Sequence, residues 1–317
     1  MLFFLNRSDL DKRLRQLRLE LQRVDITEEL RGWSWASPPI EPPLNGLYIS
    51  VSELASRYCE TLRDIYLRRV EGIPPPPSLK MIEGLVYHAI ASEAISQVKG
   101  ALFEQGIISG SDIIEKLAPR AKEGCEQVLK GVMISIRQLN EFERSETLGK
   151  SLNFYRFLIV QAAAQVDRIL SKFHHIDVDS LVNLAIPPVV ERKVDGSMLG
   201  LSKELSVDLY TPANAVADLK TGEIRSFHKY ALTGYTLALE ADEEVAVNFG
   251  LTIYIKMKKD RPVPMVDTRY FVISDELRRE FLDIRDSAFE IIQNEKDPGK
   301  PSSCPSYCPY IEICRRI

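Results

Sequence analysis

Two aspartates and a lysine lie on two short β-like runs in the second half of this 317-residue chain. In the run 205–210, apolar and polar residues alternate, so Asp208 is predicted to face away from the leucines and the valine beside it. In the run 216–221, Asp218 and Lys220 are two residues apart and therefore share one face of a strand. If the two strands pair, two carboxylates and one ammonium group converge at one edge of a small sheet.

This combination of side chains suits the metal-assisted cleavage of a phosphodiester. Carboxylate oxygens bind hard divalent cations such as Mg²⁺ or Mn²⁺. Such a cation polarises a phosphate and lowers the pKa of a bound water. A lysine can position the nucleophile or stabilise the negative charge that develops on the phosphate oxygens. Because Asp-x-Lys alone is a common pattern, an ordinary surface hairpin remains the alternative.

The five cysteines are the second chemical signal. Cys304, Cys308 and Cys314 fall within the last fourteen residues, and the odd total is atypical of a secreted disulfide framework. Clustered thiols favour a Zn²⁺ or [4Fe–4S] site, which needs a fourth ligand from Cys59 or Cys125. Cys59 is favoured because it lies beside a tyrosine in a predicted helix, whereas Cys125 is typical of a buried structural cysteine. Three unrelated reduced thiols are the alternative.

The composition excludes several classes of protein. Hydrophobic residues make up 45% and charged residues 27%, which is typical of a globular chain. The net charge of −4 argues against a strongly basic nucleic-acid coat protein, although a local basic groove remains possible. No apolar run reaches the roughly 18 residues that a membrane span needs. We therefore predict a cytoplasmic protein with no membrane partner.

The elements that must position these residues change in type along the chain. An amphipathic helix is predicted over 8–23, followed by an extended proline-rich linker over 36–46. Further helices are predicted over 50–69, 79–99 and much of 111–174. Residues 187–273 contain β-rich runs that are interrupted by one helix at 227–241, and a last helix covers 275–294. This order of elements predicts an α/β fold.

The order of the chemical residues resembles that of the RecB-type PD-(D/E)xK nucleases: His88, then Asp208, then Asp218-Leu219-Lys220, then Tyr235 on a following helix. The cysteines on both sides of this core resemble the iron–sulfur branch. That branch includes AddB-type helicase-nucleases and the CRISPR-associated RecB-like exonucleases of spacer acquisition. A chain without a helicase motif is more similar to the CRISPR-associated family, and both its length and the segment 28–35 resemble the archaeal type I-A subfamily.

The resemblance implies a fold and a domain organisation. It implies an α/β PD-(D/E)xK (restriction-endonuclease-like) core with a mixed sheet, a large helical insertion and a C-terminal iron–sulfur lobe. The N-terminal helical extension and linker would cover residues 1–46, and a RecB-like nuclease domain would cover 47–317. Within that domain we expect a helical lobe at about 100–180, a nuclease core at about 185–295 and a cysteine tail at 296–317 joined to Cys59.

The resemblance also implies roles for single residues. His88, Asp208 and Asp218 would ligate the catalytic Mg²⁺ or Mn²⁺ together with the carbonyl of Leu219. Lys220 would be the catalytic lysine, Tyr235 would contact the substrate, and Glu191 would lie near the site. Cys59, Cys304, Cys308 and Cys314 would hold a [4Fe–4S] cluster, which leaves Cys125 as the spare thiol.

Three positions depart from the family pattern. Asp218 replaces the more usual glutamate, Ala231 replaces the glutamine of a Gln-x-x-x-Tyr motif, and three residues rather than two separate Cys304 from Cys308.

The implied function is a metal-dependent DNA exonuclease acting on single strands or overhangs. The resemblance further implies that it processes prespacer DNA in CRISPR adaptation, in partnership with the adaptation integrase, and that the [4Fe–4S] cluster is structural. Two alternatives stay open. The chain could be a weakly active or inactive DNA-end-binding scaffold of the adaptation complex, or a zinc-stabilised binding protein.

Overall fold

The computed structural model of the protein describes residues 7–135, 139–186, 189–211, 214–258 and 261–316. Positions 136–138 of the predicted helical region, and 187, 188, 212, 213, 259 and 260 of the predicted β-rich region, lie outside these ranges. None of the helices in the described ranges is both long enough and apolar enough to cross a membrane.

A five-stranded mixed sheet lies at the centre of the fold, as the α/β prediction requires. The strands follow one another in space in chain order, and each neighbouring pair is antiparallel except β3 and β4, which are parallel. The strands are β1 (Val189–Val194), β2 (Leu205–Thr211), β3 (Ala215–Lys220), β4 (Phe249–Lys258) and β5 (Arg261–Val272). The predicted mixed α/β class is therefore confirmed.

Eleven α-helices accompany the sheet in the described ranges. They are α1 (Arg7–Leu21), α2 (Val51–Ala55), α3 (Arg63–Arg69), α4 (Leu79–Gln105), α5 (Gly110–Leu117), α6 (Ala121–Ser135), α7 (Glu141–Leu170), α8 (Val178–Ala185), α9 (His228–Glu243), α10 (Asp275–Asn294) and α11 (Ile311–Arg316). The longest begin at side-chain caps: the Ser78 hydroxyl accepts the Met81 N–H at the start of α4, and Asn140 forms a capping box with Glu143 before α7.

The helices α4 to α8, together with α1, pack on one face of the sheet. Their apolar residues recur at helical spacing, as in Ile82, Val86 and Ile90 of α4, and all three are buried. The odd-numbered residues of β3 and β4, including Leu219 and Ile253, join the same apolar cluster. The helical region is thus one side of the core, and it supports β3 from beneath.

The opposite face of the sheet is covered by α9, α10 and the segment before α2. These two helices approach closely at Gly234, where an added Cβ would lie 2.6 Å from the ring of Phe281. Because α9 connects the parallel strands β3 and β4, it crosses the sheet directly above the even-numbered residues of β3.

Strand β2 changes sides at Asp208. Leu205 and Val207 pack with the α9 and α10 cluster, whereas Leu209 packs against the cluster on the other face. The prediction that these three residues share one face is therefore wrong. Opposite Asp208, Glu191 of β1 has a φ of 52° and is absent from the regular pairing, whereas the register is the same on both sides of it.

The helix predicted over 50–69 is divided in two. Helix α2 ends at Ala55 and α3 begins at Arg63, because Arg57 and Leu62 have φ angles of 43° and 58° that a right-handed helix does not contain. Cys59 therefore lies in the connection between two helices. The prediction that it lies within a helix is wrong.

The proline-rich segment 36–46 forms a series of turns that the buried Arg285 holds in place. The Arg285 guanidinium donates to the carbonyl oxygens of Ile40 at 2.7 Å and of Glu41 at 3.1 Å. Ile40 is fully buried. The segment packs on α10, where the sequence predicted an extended linker.

A buried carboxylate ties the N-terminal segment to α9 and α10. Glu240 of α9 is fully buried and lies 2.6 Å from a guanidinium nitrogen of both Arg31 and Arg278. It also accepts the backbone N–H groups of Gly32 and Val247. The carboxylate oxygens are fully hydrogen-bonded, so the burial of this charge is compensated.

Glu240→Gln is expected to lower the free energy of unfolding by about 3–5 kcal/mol, because two buried guanidinium groups then lose their counter-charge. Urea unfolding followed by circular dichroism measures the change. Glu312→Gln is the matched control, since the Glu312–Arg315 pair is exposed and its loss should have little effect. Equal stability of Glu240→Gln and the parent chain would contradict the assigned role of Glu240.

Candidate active site

The adjacent strands β2 and β3 bring the two aspartates and the lysine together. The Leu219 N–H donates to the Asp208 carboxylate at 2.8 Å, and the Lys220 ammonium lies 2.7 Å from Asp218 Oδ2. Asp218 is 3% exposed, whereas the side chains of Asp208 and Lys220 are half-buried. Asp218 and Lys220 share the face of β3 beneath α9, as their spacing predicted.

Helix α4 adds His88 from the opposite side of Asp208. The His88 Nδ1 atom lies 3.2 Å from Asp208 Oδ2. A small pocket beside this contact is lined by His88, Asp208 and Glu191 together with Ser92 and apolar neighbours. Glu191 is exposed, has a left-handed φ, and lines this pocket together with Asp208.

The two aspartates differ in electrostatic environment. Burial raises the pKa of Asp218 to about 6, although the Lys220 ammonium partly offsets this effect. Burial also acts to raise the pKa of Asp208, but the adjacent His88 outweighs it, and the pKa of Asp208 lies below its usual value. One carboxyl is therefore held ionised while the other titrates nearer to neutrality, an arrangement that is common at catalytic sites.

The pKa values of the two basic groups, His88 and Lys220, are both raised. Burial acts to lower the pKa of Lys220, yet the Asp218 carboxylate outweighs it and the pKa is raised. The same balance raises the pKa of His88, where the Asp208 carboxylate overcomes the effect of burial. Each base is thus stabilised by the aspartate that it contacts.

Helix α9 contributes a tyrosine to the edge of this group. Tyr235 is half-buried, and burial followed by the charges of Asp218 and Asp208 raises its pKa. Ala231, one turn earlier, is buried in the apolar cluster. The position at which the resemblance predicts a glutamine therefore presents no polar group to the site.

The side chains of β2 and β3 meet part of what a divalent cation needs. Asp218 Oδ2 is buried and accepts no hydrogen bond of suitable angle, although Lys220 Nζ is close. Two neighbouring carboxylates, one of them deeply buried, fit the chemistry of Mg²⁺ or Mn²⁺. In the described part of the chain, however, no three His, Cys, Asp or Glu side chains are grouped closely enough to hold an ion. Instead, His88 contacts the Asp208 carboxylate and Lys220 contacts the Asp218 carboxylate.

The cysteine tail docks on the segment that contains Cys59. Arg63 donates to both oxygens of Asp297 at 2.8 Å and 2.7 Å, and the Thr61 hydroxyl donates to the Gly299 carbonyl at 2.7 Å. Further along, the Tyr310 hydroxyl donates to a backbone carbonyl that follows α3. These contacts bring the end of the chain beside the α2–α3 connection.

The structure places three of the four predicted cluster ligands near one another. Cys59 and Cys308 are buried and Cys314 is half-buried. Burial, then the proximity of Cys59 and Cys314, raises the pKa of the Cys308 thiol. Cys304 is exposed, and Cys125 lies apart in the apolar cluster of the helical region, where burial raises its pKa to about 12.

An aromatic group between the two sites was missed at the level of sequence. The Arg225 guanidinium lies 4.1 Å from the ring centroid of Tyr307, and the ring of Phe227 is 6.4 Å from that of Tyr307. His228 contacts the Tyr254 hydroxyl through Nδ1 at 2.9 Å. The signal that could have revealed it is a tyrosine between two of the clustered cysteines.

The fold and the site together define a class of protein. Two carboxylates and a lysine lie where an antiparallel strand pair meets a parallel one in a mixed sheet, an arrangement suited to hydrolytic chemistry. A family model described as CRISPR-associated exonuclease Csa1 matches residues 1–316 of the chain. The chain belongs to this family.

Two relatives carry the same name. A CRISPR-associated exonuclease Csa1 of Saccharolobus solfataricus is 32% identical over 315 residues, which cover 98% of this chain and 99% of the relative. Another, from Thermoproteus tenax, is 28% identical over 302 residues, 95% of this chain and 96% of the relative. The predicted membership of a CRISPR-associated exonuclease family is confirmed, and the wider PD-(D/E)xK assignment stays a prediction.

Lys220→Met is expected to raise the pKa of His228. Burial and then the charges of Lys220 and Arg225 hold this pKa at about 4, so removing one charge should move it upward while burial keeps it below its ordinary value. NMR titration of the imidazole protons measures it. Lys193→Met, at an exposed position of β1, is the matched control. An unchanged His228 titration in Lys220→Met would contradict the placement of the ammonium group.

Proposed function

We propose that the protein is a metal-dependent DNA exonuclease that acts on single strands or overhangs. The observation that carries the proposal is the contact group of Asp208, Asp218, Lys220 and His88, in a chain whose family is described as exonucleases. The names of the two relatives support the same reaction class. The PD-(D/E)xK motif order supports a phosphodiester as the substrate.

Asp208 and Asp218, with His88 and the Leu219 carbonyl, would hold Mg²⁺ or Mn²⁺. A bound cation would supply a polarised phosphate and a water of lowered pKa. For the cation to be bound, the contacts of Asp208 with His88 and of Asp218 with Lys220 must loosen. The burial of Asp218 close to Asp208 supports this site.

Lys220 would act on the phosphate that is cleaved. Hydrolysis forms a bond between the water oxygen and phosphorus and breaks the bond from phosphorus to the leaving deoxyribose oxygen. Negative charge accumulates on the phosphate oxygens meanwhile, and a permanently charged ammonium group offsets it. The raised pKa of Lys220 keeps this group protonated at neutral pH. Tyr235 would contact the substrate from α9.

We further propose that Cys59, Cys304, Cys308 and Cys314 hold a structural [4Fe–4S] cluster. The docking of the tail on residues 61–73 supports it, because three of the four thiols already lie close together. Cys304 would have to turn inward to complete the set. Such a cluster would couple the folding of the tail to metal binding.

A second candidate function is a weakly active DNA-end-binding scaffold. The observations that favour it are Ala231, which offers no polar contact, and the occupation of both carboxylates by His88 and Lys220. Under either function we propose that the partners are DNA ends and the subunits of the CRISPR adaptation integrase, with prespacer DNA as the physiological substrate.

Asp208→Ala and Lys220→Ala are each expected to lower the degradation rate of labelled single-stranded DNA by at least about 100-fold. The reason is loss of a proposed metal ligand in one variant and of charge stabilisation in the other. The rate is measured with Mg²⁺, with Mn²⁺ and with a chelator, which should abolish it.

Asp25→Ala and Lys193→Ala, at exposed positions away from the site, are the matched controls and should degrade DNA like the parent chain. Equal degradation by Asp208→Ala, Lys220→Ala and the parent would contradict the catalytic assignment. DNA-end binding without degradation by the parent would instead support the scaffold.

Cys59→Ala is expected to abolish iron and sulfide content, whereas Cys125→Ala should keep both, because only Cys59 lies beside the docked tail. Anaerobic purification, iron and sulfide analysis and the broad visible absorption of the cluster measure the outcome. A colourless parent chain with stoichiometric zinc would contradict the iron–sulfur assignment, and loss of the cluster in Cys125→Ala alone would contradict the choice of ligand.

A further inference from the structure

We infer that Tyr307, Arg225 and Phe227 form a stacking platform, here called the tail platform, that holds an unpaired base of the DNA strand next to Lys220. The inference rests on the proposed function and adds to it a binding subsite for the substrate. It follows from how exposed the Tyr307 ring is, how it is stacked, and how it is linked to the site.

The Tyr307 ring has the surroundings of a binding surface. Tyr307 is 39% exposed, whereas Tyr310, three positions later, is buried. The Arg225 guanidinium lies over the ring at 4.1 Å from its centroid, and the Phe227 ring is tilted by 38° to it at 6.4 Å. Bases of single strands stack on aromatic rings and on arginine guanidinium planes alike.

A chain of contacts links the tail platform to Lys220. The ring of Phe227 is 5.0 Å from that of His228, and His228 Nδ1 is 2.9 Å from the Tyr254 hydroxyl. Tyr254 is the register partner of Lys220 on the neighbouring parallel strand. The platform therefore begins within a few side chains of the ammonium group.

The charges around the platform match a nucleic-acid strand. Arg225 is part of the platform, and Lys220 lies a few side chains away from it. These two cations match the phosphates that follow the bases along a strand. The anionic partner of Arg225 is Glu223, which lies at 2.5 Å, and this pair is largely exposed on the glutamate side. A phosphate or a base can therefore replace the carboxylate at small cost, since exposed ion pairs are weak.

Stacking on this platform requires an unpaired base. In a duplex, each base is already stacked between its neighbours, so its face is not free. The tail platform thus favours the single strands or overhangs of the proposed substrate. It also offers a nucleotide contact, which the buried Ala231 does not.

The test measures affinity rather than cleavage. Binding of a fluorescein-labelled single-stranded DNA is followed by anisotropy at fixed salt in an Asp208→Asn background. A chelator is present, so that the probe stays intact even if Asp208 is not a catalytic residue. Adding Tyr307→Leu keeps an apolar side chain but removes the ring, and we expect the affinity to fall between about fivefold and 100-fold. Tyr307→Phe keeps the ring and should bind like the background chain.

Tyr48→Leu is the matched control. Tyr48 also lies beneath a cation, with Lys203 Nζ at 5.0 Å from its ring, but it is on the segment before α2. Its replacement should leave the affinity unchanged. A blunt duplex probe should not distinguish Tyr307→Leu from the background chain.

A second measurement identifies the stacked base. An abasic nucleotide is moved along the probe, and one position should weaken binding to the background chain. In Tyr307→Leu, the abasic nucleotide at that same position should not weaken binding further, because the ring that the base contacted is absent. Additive losses, equal losses in Tyr307→Phe and Tyr307→Leu, or unchanged affinity in Tyr307→Leu would each overturn the platform, as would failure of the background chain to bind single strands.

The outcome is separable from that of the proposed function. If Asp208→Ala and Lys220→Ala degrade DNA normally while the abasic probe still identifies Tyr307, the catalytic assignment fails and the platform stands. If those variants are inactive and Tyr307→Leu binds normally, the platform fails and the catalytic assignment stands.

Discussion

The buried carboxylate of Glu240 is the interaction on which the position of the candidate site depends. It receives hydrogen bonds from Arg31, Gly32, Val247 and Arg278, which belong to the N-terminal segment, the approach to β4 and α10. An isolated charge in this place would be strongly unfavourable, so the carboxylate and its donors must come together or not at all. Glu240 thus contributes to the angle at which α9 crosses the sheet.

That angle decides what lies above β3. Helix α9 begins at His228 and carries Tyr235 two turns later, and both face the even-numbered residues of β3. The helical region on the other face of the sheet supplies His88 through α4. The carboxylates of Asp208 and Asp218 are therefore enclosed by two helices that have separate apolar clusters, and neither cluster alone defines the site.

The sequence was most informative where the chemistry depends on strand alternation. The spacing of Asp218 and Lys220 predicts their common face, and the nearby Asp208 follows once β2 and β3 pair. The family could also be predicted, because the order of the motifs and the positions of the cysteines belong to the sequence itself and need no structure. The side change at Asp208 could not be predicted, since it coincides with a left-handed φ at Glu191 on another strand.

Long-range contacts account for the other differences. The break between α2 and α3 depends on Arg57 and Leu62, neither of which is a residue type that favours left-handed backbone. The stacking of Arg225 on Tyr307 exists only because the tail docks on the distant segment after Cys59. Periodicity within a window of sequence carries no information on such contacts, whereas the positions of the five strands correspond to β-rich runs that local composition predicts.

The pairing of Arg63 with Asp297 also has a consequence for biosynthesis. The two residues are 234 positions apart, so Arg63 leaves the ribosome long before its partner exists. At translation rates of roughly 5–20 residues per second, this interval is between about ten and fifty seconds. During it the apolar surface of α3 and the thiol of Cys59 lack their tail contacts. The nascent chain therefore passes through a stage in which this surface is open to chaperones and, for a thiol, to metal delivery.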